Sequence, residues 1–140
     1  IGAAVLGIGG SLFDSPRTNV SESSMWFEAL VSIPVGTVIV EELMFRGVLL
    51  GLLLRKATTV WAVAICSVLF GLWHIQGVVV HSTQSPSAIA AASLGTFLAT
   101  TFAGVIFCVL RLKSRSVAAP MLAHLGTNSV ALATAWYLAH

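Results

Sequence analysis

The sequence predicts an all-α fold, a multi-spanning transmembrane helical bundle of about four complete spans preceded by part of another helix. Three observations predict it. Apolar residues make up 57% of the 140 residues and charged residues only 9%, against about 25% charged in an ordinary soluble domain. The apolar residues fall in runs of roughly 20 or more, the length an α-helix needs to cross a hydrocarbon core of about 30 Å. The charges gather mostly between those runs, where loops must lie because lipid leaves open backbone groups unpaired. The runs divide one bundle, so residues 1–140 are expected to form one membrane-embedded domain.

Ile1 to Phe13 is apolar, too short to span, and lacks the basic start of a signal peptide. It reads as the tail of a helix that begins before Ile1, in an N-terminally truncated chain. Asp14 to Ser24 holds Pro16, Arg17, Asn19 and several serines, which predicts a loop. Trp26 to Leu54 is apolar over about 44 Å at ~1.5 Å per residue, longer than the hydrocarbon core. Pro34 removes a backbone donor there, so an oblique first part and a steeper second part carrying Glu41 to Leu54 are expected.

Thr58 to Val80 supplies the next span, with His74 and Gln76 as its polar interruptions, and His81 to Pro86 reads as a turn. Ala88 to Leu110 has no ionisable side chain except Cys108 and reads as scaffold. Arg111, Lys113 and Arg115 mark a loop before the last span, Val117 to Leu138, which carries His124 and Asn128. Arg55-Lys56 and Arg111 to Arg115 lie two spans apart, hence on one side, and by the positive-inside tendency that side is cytoplasmic. The protein is thus expected to be an integral, multi-pass membrane protein in contact with lipid. Its net charge of +2, on scattered basic residues, argues against a nucleic-acid surface. Cys66 and Cys108 lie in apolar runs without close spacing and read as packing thiols. Gly47 and Gly51 form a G-x-x-x-G pattern that predicts close helix packing, within the chain or between two copies of it.

Glu41, Glu42, Arg46, His74 and His124 all fall within apolar runs. A charge at the bilayer centre costs roughly 2.5 to 3.5 kcal/mol on insertion scales, so such groups face a protein interior or a wet cavity and mark function by default. Glu42 and Arg46 stand one helical turn apart and can pair. Glu41 is rotated about 100° from Glu42, which leaves its carboxylate available as a base. Counted from the basic loops at ~1.5 Å per residue, Glu41 and Asn128 lie about 20 Å deep, His124 about 14 Å and His74 about 27 Å, depths that tilted helices can bring to one site.

Glu41-Glu42-Leu-Met-Phe-Arg46 fits E-E-x-x-x-R, Phe70-Gly-Leu-Trp-His74 fits F-x-x-x-H, and His124-Leu-Gly-Thr-Asn128 fits H-x-x-x-N. In this order, each on a different span from Trp26 to Leu138, the set resembles the CAAX prenyl protease and bacteriocin-processing (abortive-infection) family of glutamate-type intramembrane proteases. The resemblance implies a peptide hydrolase whose substrate is a peptide or protein, including prenylated CAAX-like chains and leader peptides. It implies no cofactor. Glu41 then serves as general base and His74 positions the water. His124 and Asn128, four residues apart on one face, supply an oxyanion hole, and Glu42 and Arg46 support the site. Phe70 and Trp73 read as packing beside it.

Three rivals use the same residues. One glutamate and two histidines can hold zinc with an open position for water, giving a metalloprotease, although no H-E-x-x-H stands on one helix. A non-catalytic membrane-binding or bacteriocin-immunity protein can keep the polar cavity without cleaving anything. A proton-coupled transporter can use buried carboxylates and histidines, but the sequence has no inverted repeat to support it.

Overall fold

The computed structural model describes residues 20–81 and 85–140, and among them every regular element is helical. The α-helices are α1 Glu22–Phe27, α2 Ile39–Glu42, α3 Leu50–Leu54, α4 Thr59–His81, α5 Pro86–Ser114 and α6 Ala118–Ala139. Between α1, α2 and α3 the chain winds through wider π-helical turns at Glu28–Ser32, Pro34–Val38 and Leu43–Leu49, so residues 22–54 form one unbroken helical run.

The expected partial helix at Ile1 to Phe13 and most of the expected loop at Asp14 to Ser24 lie outside the described residues. The end of that loop is helical instead. Ser21 occupies the N-cap and its side chain accepts a hydrogen bond from the Ser24 backbone N–H at 3.3 Å, so Glu22 to Ser24 form the first turn of α1. α5 also runs past its expected limits: Pro86 takes its first position, where a missing N–H is harmless. Arg111 and Lys113 sit in its last turn, where cations favour the helix dipole. Only Arg115 to Val117 remain as a connection, and Arg115 ends the helix with a left-handed backbone, φ 56°.

The expected count of four spans is only partly met. Among the described residues two helices are long and apolar enough to cross a membrane, α4 over Thr59–Val79 and α5 over Pro86–Ser114. α6 has the length, 22 residues, but His124, Thr127 and Asn128 interrupt its apolar run. The 22–54 run is divided by its π turns and carries Glu41, Glu42 and Arg46. The groups that break the hydropathy are those the motifs contain.

Pro34 does not end its helix. Ile33 N–H bonds to the Glu28 carbonyl, five residues back, and in that register the carbonyl of Ala29 would be served by residue 34, which has no N–H. The Ser129 hydroxyl of α6 donates to the Ala29 carbonyl at 2.7 Å instead. A neighbouring helix thus satisfies what proline left open, the usual way proline is tolerated inside an apolar bundle. Nearer the chain's ends, Trp136 Nε1 donates to the Val20 carbonyl at 3.0 Å, tying α6 to the start of α1.

α4 and α5 form an antiparallel hairpin with the most extensive contact in the fold. Small residues set its closeness: a Cβ on Gly104 would lie 3.1 Å from Ser67 Cα, and one on Gly71 would meet the Phe97 carbonyl at 3.0 Å and collide with Thr101. A Cβ on Gly47 would meet only its own helix within 4 Å and one on Gly51 would meet nothing, so inside this chain the close approach is made by Gly71 and Gly104 instead. The pairing of 67 with 104 and 71 with 101 puts Arg55-Lys56 and Arg115 at the same end of the hairpin.

The molecule buries a small charged cluster in an apolar interior and turns an apolar surface outward. Val60, Trp61, Phe102 and Leu122 are 65% to 77% exposed, whereas Arg46 is the largest fully buried side chain and Glu42 is buried with it. The apolar core that surrounds them is Phe45, Leu50, Ala62, Cys66, Phe70, Phe107 and Cys108. An exterior of this kind suits lipid rather than water.

Candidate active site

α2 is a single turn between two π-helical stretches, and its last two residues are Glu41 and Glu42. Successive residues leave a helix in different directions, and the two carboxylates take different partners. Glu42 Oε1 accepts from Arg46 Nη1 at 2.8 Å and from His124 Nδ1 at 2.9 Å. Arg46 Nη2 also donates to the Gly104 carbonyl of α5 at 3.4 Å. Its guanidinium lies 4.0 Å from the Phe70 ring centre, 5.1 Å from that of Phe107 and 5.8 Å from that of Phe45. Taking this ion pair out of water is expensive, and the hydrogen bonds and aromatic faces around it offset the loss.

Glu41 points to the other two helices. Its Oε2 stands 3.8 Å from His74 Nε2 on α4 and 3.9 Å from His124 Nε2 on α6, and it has no hydrogen-bond partner among the described residues. The opposite nitrogen of each imidazole is engaged. His74 Nδ1 lies 2.8 Å from the Phe70 carbonyl, which can only accept, so Nδ1 carries the proton. The Glu42 carboxylate, already paired with Arg46, assigns the Nδ1 proton of His124 in the same way. Both rings therefore turn Nε2 toward the Glu41 oxygen. These separations exceed a hydrogen bond but suit three groups sharing one small bridging molecule.

The structure thus brings together five of the six residues singled out in the sequence: Glu41, Glu42, Arg46, His74 and His124. Asn128 is half-buried one turn beyond His124, and its side chain makes no hydrogen bond to the described residues. The uneven depths expected from the sequence are reconciled because three separate helical elements approach one point, and the wide turns beside α2 shorten its run. No group of three or more His, Cys, Asp or Glu side chains arranged to hold a metal ion occurs among the described residues.

α5, expected to be scaffold, contributes directly. Phe107 stacks on His124 with ring centres 5.0 Å apart and planes at 26°. Phe70 meets His74 at 4.5 Å and the edge of His124 at 5.8 Å. Nothing in an apolar run distinguishes such a phenylalanine from its neighbours. Cys66 and Cys108 are buried, unpaired thiols. Cys66 donates to the Phe45 carbonyl at 3.4 Å, and Ser67 donates to Cys108 at 3.9 Å, contacts suited to packing.

A family model described as type II CAAX prenyl endopeptidase Rce1-like matches residues 23–130. The matched stretch begins in α1, ends in α6 and contains every residue of the cluster. Comparison with curated proteins and with solved structures gives no significant match.

Proposed function

The chain belongs to the Rce1-like family of type II CAAX prenyl endopeptidases, and from that premise we propose that this membrane peptide hydrolase cleaves by glutamate chemistry, with Glu41 as general base. One observation carries the reading: Glu41 Oε2 meets the Nε2 atoms of His74 and His124 at 3.8 and 3.9 Å inside an apolar bundle.

A water resting between these groups donates one hydrogen to Glu41 and the other to His74 Nε2, which aims its lone pair at the substrate carbonyl. Glu41 takes the proton as the C–O bond forms. The negative charge that develops on the carbonyl oxygen is met by Asn128 Nδ2–H and by His124, whose Nε2 donates when the ring carries both protons. Glu42, held by Arg46, fixes the orientation of His124 through its Nδ1. The C–N bond then breaks and Glu41 passes its proton to the leaving amine.

The substrate class we propose is a peptide or protein presented at the membrane, prenylated CAAX-like or leader-type. The chain crosses the bilayer four times, with Arg55-Lys56 and Arg111 to Arg115 on the cytoplasmic side. The test is cleavage of a quenched, lipid-modified peptide by purified protein in detergent, with and without chelator. Turnover that survives chelation in the wild type and disappears in Glu41→Ala is expected. Turnover that is lost on chelation and restored by zinc would replace this mechanism with a metal-dependent one. Asn128→Ala is expected to lower kcat by about 10²- to 10³-fold while the protein stays folded.

A further inference from the structure

We propose that Phe107, on the helix that looks like plain scaffold, is a positioning residue for the hydrolytic reaction, acting through His124. The proposal rests on the glutamate-protease reading. The hydrogen bond from His124 Nδ1 to Glu42, 2.9 Å long, fixes one atom of the imidazole. It leaves the ring free to rotate about that bond and swing Nε2 away from Glu41. A flat surface against the ring removes this freedom, and Phe107 supplies it, with planes 26° apart and centres 5.0 Å apart. Phe70 closes the edge at 83°. Both Phe107 and His124 are buried, so no solvent-facing alternative rotamer competes.

The same Phe107 ring lies 5.1 Å from the Arg46 guanidinium, and the Gly104 carbonyl, one turn earlier on α5, accepts from Arg46 Nη2 at 3.4 Å. One turn of α5 therefore aligns both the imidazole and the cation that anchors the imidazole's partner, Glu42. Leu50 gives the control: it is buried in the same core and takes no part in the ring, cation or hydrogen-bond contacts described for Arg46 and His124.

The experiment compares Phe107→Leu with Leu50→Ala, measuring kcat and KM on the lipid-modified peptide and thermal unfolding of each variant. Both substitutions shorten a buried side chain of one core, so a loss of stability is expected in each. Phe107→Leu alone is expected to lower kcat, by roughly 10²-fold as for a misaligned catalytic group, with KM unchanged. Phe107→Tyr, which keeps the planar face, should recover most of that loss. If Phe107→Leu does not fold, Phe107→Met, which fills the space without a flat face, is read in its place. A Phe107→Leu or Phe107→Met enzyme as fast as wild type, or a matching kcat loss in Leu50→Ala, overturns the proposal while the glutamate-protease reading stands. A folded wild type that cleaves nothing overturns both.

Discussion

Glu42 and Arg46 illustrate how a residue pair is held at a place that favours neither charge. Each is fully buried and their contact is 2.8 Å; removing one partner leaves the other charged and unpaired, which costs about 3 to 5 kcal/mol in buried pairs. Arg46→Met or Glu42→Gln alone should therefore strongly destabilise the protein in detergent, and the double variant should be less destabilised than the sum of the two, as read by denaturant unfolding. Additive losses would mean that the ion pair is not the unit that matters. The spacing of four residues made this pair readable in the sequence. The second bond of Glu42, to His124, was not readable, because it joins residues 82 positions apart.

At the scale of elements, the 22–54 run shows how a proline can stay inside a helix. The π turns around Pro34 move the missing bond onto the Ala29 carbonyl, and Ser129 of α6 answers it. Ser129→Ala should destabilise the protein by about 1 kcal/mol. In a Pro34→Ala background, where residue 34 regains its N–H, the same change should have little effect. A loss that is equal in both backgrounds would break the link between Pro34 and Ser129. π turns are often found at functional sites, and here they flank the single α-helical turn that presents Glu41 and Glu42. The length of the apolar run and its proline predicted an oblique part kinked into a steeper one, whereas the structure shows widened turns, since the choice among a kink, a break and a widened turn depends on whether another helix offers a donor.

For the whole molecule, the antiparallel α4–α5 hairpin brings the two basic connections to one end. Single cysteines replacing Lys56 and Lys113 should be labelled by an impermeant reagent from the same side of sealed vesicles, the cytoplasmic one, and a cysteine replacing Ser85 from the other. The native thiols are buried and should stay silent. Labelling of Lys56→Cys and Lys113→Cys from opposite sides would show that α4 and α5 do not cross as a hairpin.

Composition and motif order by themselves determined the helical class, the membrane setting and the family, and singled out Glu41, Glu42, Arg46, His74 and His124, which the fold brings together, because those follow from which side chains lipid excludes and from spacings within one helix. They also predicted close packing at the G-x-x-x-G pattern of Gly47 and Gly51, where no second helix of this chain comes within 4 Å of an added Cβ. Only the tertiary structure decided that Gly71 and Gly104 make the close approach, that α5 reaches the site through Phe107 and the Gly104 carbonyl, and that Glu42 rather than Glu41 binds His124 Nδ1. The physical reason is that a single chain records local periodicity directly, whereas which faces of different helices meet depends on how all of them pack at once.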